Sequence, residues 1–391
     1  MCYPPPISPA TMSSVPTLQQ PHRSTPQANL RLPLPAWALA QRWRIRLCLA
    51  LLALALVVVS LLSISLGPVA IAPHEVLAVL LSQLGLSTGI NSGLVTPSHD
   101  AVVMAIRLPR TVLGILVGSA LALAGATMQG LFRNPLADPG LIGVSAGAAL
   151  AAVSLIVLGS TSLGVLSAWL GPFAIPVAAF LGGALTTLIV YRLASSNGRT
   201  QVATLLLAGI AINAIAMAGV GIFTFVADDQ QLRSLTFWNL GSLSGASWPA
   251  LAAASVLIVP PLFCLMRLAP GLNAFVLGEA EAGHLGFDSA SLKRQAVFWV
   301  ALAVGAAVGI SGVIGFIGLV VPHLVRLAIG PDHRYLLPGS ALLGATLLLL
   351  ADLLARTVVT PAELPIGIVT ALLGGPFFIW LLLRQRQSGY F

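Results

Sequence analysis

Residues able to do chemistry are scarce on this chain and widely separated. Its 391 residues include 11 Asp and Glu, 6 His, 3 Cys and one lysine, Lys293. Nucleophilic catalysis needs a nucleophile beside a base, and a structural or catalytic metal needs three or four converging ligands. No such pair or cluster stands out in the spacing. Cys2, Cys48 and Cys264 show neither paired nor metal-ligand spacing, and the last two lie in apolar runs, where a small buried hydrophobe is the plain reading. The phosphate loop GxxxxGK[ST] requires a lysine after glycine. Lys293 stands between Leu292 and Arg294, so this chain cannot carry that loop. The sequence therefore predicts no catalytic residue and no metal ligand.

Charge and helix-breaking residues set inside apolar sequence carry more information. Arg107 and Arg110 flank a proline in RLPR, and Arg356 follows Asp352 by four residues, the spacing of an intrahelical ion pair. A carboxylate within an apolar run also raises a proton relay, but one acid beside an arginine favours a structural role. Glu279 and Glu281 sit among three glycines and two alanines in LGEAEAGHLG, residues 277–286, where small side chains let two helical turns pack closely. Between Asn134 and Gly140, two prolines and a glycine forbid a continuous helix. The freed backbone groups there must face protein or a water-filled cavity, or else form a plain connecting turn.

The elements that position these residues follow from the solvent the chain requires. Hydrophobic residues make up 57% and charged residues 8% of it, and mean hydropathy is +0.97. Soluble domains carry about 25% charged residues, so this surface is not one for water. Apolar stretches near the roughly 20 residues that cross a bilayer recur from Arg46 onward. Runs such as 47–62 and 342–351 lack the alternation of a barrel strand, which leaves helices. The sequence predicts an all-α polytopic membrane protein with about ten transmembrane helices. They fall near 45–66, 108–130, 141–159, 172–193, 202–226, 249–268, 295–311, 316–329, 336–355 and 366–383, and Pro73 opens a short interfacial helix. Residues 1–40 hold nine prolines between Pro4 and Pro35 and read as a disordered tail, not a signal peptide; 41–391 form the membrane domain.

Placing the N-terminus in the cytoplasm puts fifteen of the nineteen basic residues inside, leaving Arg107, Arg110, Arg233 and Arg356 outside. The positive-inside rule selects this orientation, with both termini cytoplasmic. It also explains the net charge of +8 without nucleic acid, because the arginines are spread between apolar segments instead of forming one face. Outward arginines can snorkel to headgroups or serve a partner.

Six segments together carry a resemblance to a known family: RLPR at 107–110, GATMQGLFRNPLADPGLIGVSAGA at 125–148, LGEAEAGHLG at 277–286, GVIGFIGLVVPHLVR at 312–326, DHRYLLPGSALLGATLLLLADLLAR at 332–356 and ELPIGIVTALLGGPFFIWLL at 363–382. In content and order the chain resembles, from about Arg44 to Arg386, the FecCD permeases of ABC importers for iron–siderophore chelates, haem and vitamin B12. That resemblance implies a vitamin B12-permease-like type II importer fold in the bacterial inner membrane. It also implies a homodimer with the path on its axis, two cytoplasmic ATP-binding subunits that hold ATP and Mg, and one periplasmic binding protein. The permease would then not itself be an enzyme. Carried over residue by residue, Arg107, Arg110 and Arg356 would dock the binding protein's acidic side chains. Gly278, Glu279, Ala282, Leu285 and Gly286, in the loop of about 270–294, would couple to the ATPase. Asn134 and Leu136 would line the cytoplasmic gate, with the 199–204 loop beside it.

For substrate, DDQQLR in the outer loop 227–249, LLLAGIAIN at 205–213 and DHRYLLPG at 332–339 look like the hemin-permease branch. This implies haem as the transported substrate and a periplasmic haem- or iron-chelate-binding protein as partner, with a ferric-siderophore permease as the alternative. His323, in PHLVR, is a packing or capping residue instead of a haem ligand, since family members that carry no haem share the pattern. His284 should face the ATPase. A secondary transporter would need paired intramembrane acids, and a membrane enzyme would need clustered His or carboxylates at depth. Neither is supplied.

Overall fold

The computed structural model describes residues 36–67, 69, 71–83, 96–159, 164–196, 199–360 and 362–387. The proline-rich segment up to residue 35 lies outside them, so the expected tail is described only from Ala36, where the chain is already helical. Sixteen α-helices follow among the described residues. They are α1 (Ala36–Ser65), α2 (Pro73–Gln83), α3 (Pro97–Val102), α4 (Leu108–Phe132), α5 (Val144–Leu158), α6 (Gly164–Leu170), α7 (Ala174–Ala194), α8 (Val202–Val226), α9 (Asp229–Asn239), α10 (Trp248–Arg267), α11 (Ala269–Leu277), α12 (Glu279–His284), α13 (Ser289–Ser311), α14 (Ile317–Ile329), α15 (His333–Thr357) and α16 (Ile366–Gln387). The sole sheet among them is a pair of two-residue strands, β1 (Ser195–Ser196) and β2 (Arg199–Thr200), between α7 and α8.

The ten expected spans correspond to α1, α4, α5, α7, α8, α10, α13, α14, α15 and α16. Among the described residues, seven helical segments are long and apolar enough to cross a bilayer, while α5, α14 and the apolar part of α16 are shorter. The shortfall in α5 and α14 has a local cause. Pro139–Ile142 form a 3₁₀ turn before α5, and residues 312–316 are non-helical before α14, with Gly312 and Phe316 both at φ 69.

Helix α4 is buried along nearly its whole length and packs against α10, α13, α14 and α15. Glycines make that possible. A Cβ on Gly118 would lie 2.5 Å from the Gly344 carbonyl of α15, and one on Gly125 would lie 1.8 Å from the Gly318 carbonyl of α14. Lipid gives helices no hydrophobic drive to associate, so close backbone approach through small residues supplies the packing instead. The outer faces of α1, α7, α8 and α10 remain apolar, with Leu54, Leu185, Ile210, Phe225 and Phe263 all exposed.

Non-helical backbone is stitched together inside the bundle. Ser242 donates its N–H to the Ser311 carbonyl (2.7 Å), and Ile366 and Gly367 donate theirs to the Gly241 and Leu240 carbonyls (3.0 and 2.9 Å). These bonds satisfy groups that hydrocarbon could not. The segment 227–249, expected as an outer loop, is in large part helix α9. Its start is fixed by a capping box between Asp228 and Gln231, and the Gln231 amide also donates to the Val157 carbonyl of α5. The short helix at Pro73 is present as α2, its Glu75 carboxylate 3.0 Å from His99 Nδ1 of α3.

Candidate functional site

Three groups of residues were expected to act, and the fold places each in a distinct setting. Arg107 ends a π-helical turn (Val103–Arg107) that feeds α4, Arg110 lies in the first turn of α4, and Arg356 lies in the last turn of α15. All three are buried, at 4%, 8% and 4% exposure. Arg110 is bidentate in two directions. Its Nε and Nη2 donate to Asp352 Oδ1 at 3.0 and 2.8 Å, and Nη1 and Nη2 donate to Glu363 at 2.9 and 3.0 Å. Arg356 Nε lies 3.4 Å from Asp352 Oδ2, and its Nη2 donates to the Ser63 hydroxyl (3.0 Å) and to the Ser63 carbonyl. Arg107 donates from Nη1 to the Ile64 and Ser65 carbonyls at 2.6 and 2.7 Å, and from Nη2 to the Val69 carbonyl.

These contacts tie the end of α1 to α4 and α15 through guanidiniums that a buried site must pair. Arg107, Arg110 and Arg356 therefore do not stand as free guanidiniums in this conformation; the internal pairing foreseen for Asp352 extends to Arg110. A docking role for the three requires release of these bonds. Glu363, with 37% of its side chain exposed, is the network's presented charge.

The segment expected to couple to the ATPase is a helical elbow. Gly278 (φ 137, ψ 157) breaks α11 from α12, and Gly286 (φ 88) follows α12 before Asp288 caps α13. Ala282 is fully buried and anchors α12, whereas Glu279, Leu285 and His284 are exposed. Lys293 Nζ meets Glu279 Oε1 at 2.6 Å and donates to the Thr200 carbonyl at 2.8 Å, joining α12, α13 and the β1–β2 hairpin. Its part in this junction was not foreseen, although a lone lysine beside the acidic elbow was the available signal.

Asn134, exposed, and Leu136, half-buried, occupy a turn after Arg133, which adopts φ 50. The Asn134 carboxamide oxygen accepts the Leu136 N–H at 2.9 Å. Asn134 borders a cavity of about 340 Å³ together with Gln129, Arg326 and His333. A second, larger cavity, of about 580 Å³, has Asp138, Gly140, Asn213, Met217 and Asn239 among its lining. Asp138 caps the 3₁₀ turn by accepting the Gly140 N–H at 2.7 Å, and Asn213 of α8 donates to the Gly140 carbonyl at 3.1 Å. Burial pushes the Asp138 carboxyl above the usual carboxylate range, and the Gly140 hydrogen bond offsets part of that rise. Asp138 and Asn213 were passed over in the sequence. Their signals were an acid in the broken segment and a lone amide in an apolar span. His323 is buried with neither ring nitrogen hydrogen-bonded, on α14.

Residues 55–384 match the FecCD transport family. The hemin transport system permease protein HmuU of Yersinia pestis is 52% identical over 296 residues, which cover 75% of this chain and 87% of that protein. The vitamin B12 import system permease protein BtuC of Escherichia coli O9:H4 (strain HS) is 42% identical over 313 residues, 80% of this chain and 93% of that one. Among solved structures, an inward-facing metal-chelate type ABC transporter aligns with a TM-score of 0.73 at 32% identity, covering 86% of this chain and 98% of the other.

Proposed function

Because the chain belongs to the FecCD transport family, we propose that it is the membrane-spanning permease subunit of a bacterial ATP-driven importer that moves haem from periplasm to cytoplasm. The observation that carries the haem reading is the 52% identity to the hemin permease, against 42% to the vitamin B12 permease. Haem is a flat, largely apolar plane with two anionic propionates. A broad apolar path with a few amides and a basic entrance would admit it, and such a path is open to other chelates. The likeness to a metal-chelate transporter keeps a ferric-siderophore cargo as the second reading.

In this reading the permease works as a homodimer with the path on its axis, in the inner membrane, with both termini cytoplasmic. Hydrolysis of ATP takes place on two partner subunits, which engage Gly278, Glu279, Ala282, Leu285 and Gly286 on the elbow. Asn134 and Leu136 border the cytoplasmic constriction. A periplasmic binding protein docks at the opposite end by competing for Arg107, Arg110 and Arg356. The experiment is ATP-dependent uptake into proteoliposomes holding the full complex, with haem, a ferric siderophore and vitamin B12 offered separately. Haem accumulation several-fold above the other two is expected. Siderophore uptake without haem uptake would overturn the haem assignment and leave the permease assignment standing, while no ATP-dependent uptake of any of the three would count against both.

A further inference from the structure

A groove of about 490 Å³ runs between α7 and α13, and its lining shares no residue with the arginine network, the elbow or the two cavities described above. Phe180, Val297 and Ala301 make its apolar wall. Arg192, in the last turn of α7, and Arg294, in the second turn of α13, both exposed, close one end. Neither arginine has an acidic partner among the described residues. Between the apolar wall and the arginines lies Thr187, only 4% exposed, whose hydroxyl makes no hydrogen bond within the chain. Arg192 follows Thr187 by five positions, about 7.5 Å along a helix.

The order of chemistries down this groove is a pair of guanidiniums, then one unpaired buried hydroxyl, then hydrocarbon. We propose that the groove holds one anionic phospholipid of the phosphatidylglycerol kind. Its phosphate lies on Arg192 and Arg294, an ester carbonyl accepts from the Thr187 hydroxyl, and an acyl chain covers Phe180, Val297 and Ala301. Basic pockets between spanning helices bind anionic headgroups in this way. Free phosphate would leave the apolar length of the groove empty. A choline headgroup would set a third cation beside the two arginines and cancel the charge of its own phosphate, leaving no net anion for them. The site adjoins the elbow through the chain itself, since Arg294 follows Lys293, which holds Glu279 and the Thr200 carbonyl.

The test is lipid retention by the purified full-length protein, taken from membranes containing phosphatidylglycerol and phosphatidylcholine and read by native mass spectrometry. Wild type is expected to retain phosphatidylglycerol in preference. Each arginine near an anionic headgroup contributes roughly fivefold, so Arg192→Gln with Arg294→Gln should lower that preference by roughly 25-fold. Thr187→Val should reduce retention of both lipids and leave their ratio unchanged. Ala184→Phe narrows the groove with both arginines intact, and should reduce retention of phosphatidylglycerol as well. Equal retention of the two lipids by wild type would overturn the proposal, as would undiminished retention in the arginine pair. Undiminished retention in Ala184→Phe would reduce the effect to surface charge alone and sink the groove. None of these readouts depends on what the protein transports.

Discussion

A guanidinium taken out of water costs several kcal/mol unless its N–H groups find oxygens, and Arg110 meets this with two carboxylates at once. Asp352 is fully buried and accepts from Arg110 while facing Arg356, whereas Glu363 sits at the rim. The two acids should therefore differ in worth. Asp352→Asn leaves two buried cations short of one charge and should cost about 3–5 kcal/mol. Glu363→Gln removes a partly solvated partner and should cost about 1 kcal/mol or less. Thermal unfolding in detergent ranks them, and a larger drop for Glu363→Gln would mean that the rim, not Asp352, holds the brace. The Asp352–Arg356 half of this network was legible, because four residues along a helix is a fixed spacing. The Arg110–Asp352 half spans 242 residues, a distance that only the packing of α4 on α15 closes.

Glycine sets the shape of the elbow at two points, for two different reasons. At Gly286 a Cβ would meet nothing within 4 Å, so the cost of any side chain there is the left-handed backbone and not its size. Any side chain at Gly286 thus carries a backbone strain of about 1–2 kcal/mol. At Gly278, φ 137 and ψ 157 lie where side chains other than glycine's are hardly found, and a Cβ would also strike the Glu281 carboxylate. Gly278→Ala should therefore reduce substrate moved per ATP hydrolysed more than Gly286→Ala does, in the reconstituted complex. The reverse order would show that α11 and α12 need not keep this angle. Long helices were legible because apolar runs of spanning length admit few alternatives. Helix α9 was not, because its polar, short sequence looks like a loop until its capping box is paired. The π-helical turn before α4 left no mark in the apolar pattern.

Seen whole, the molecule is apolar inside and out. Glycines let α4 approach α14 and α15 closely among buried Leu, Val and Met, and Leu, Ile and Phe also cover the exterior. That arrangement was legible from composition. Which apolar face meets lipid and which meets a second copy was not, since both present the same chemistry. The junction of α12, α13 and the hairpin offers a way to watch the assembled machine. Lys293 is the single lysine of the chain, 5% exposed, with its ammonium held by Glu279 and Thr200. Apart from the N-terminal amine, the chain offers acylating reagents one amine that gives a stable amide, and they reach it only after the junction parts. Its acylation rate, followed on one peptide with and without ATP, should change several-fold if the elbow shifts between nucleotide states. An unchanged rate would mean that elbow, hairpin and α13 travel as one rigid body. A side chain placed to hold three segments together thus doubles as a built-in clock for how often they separate.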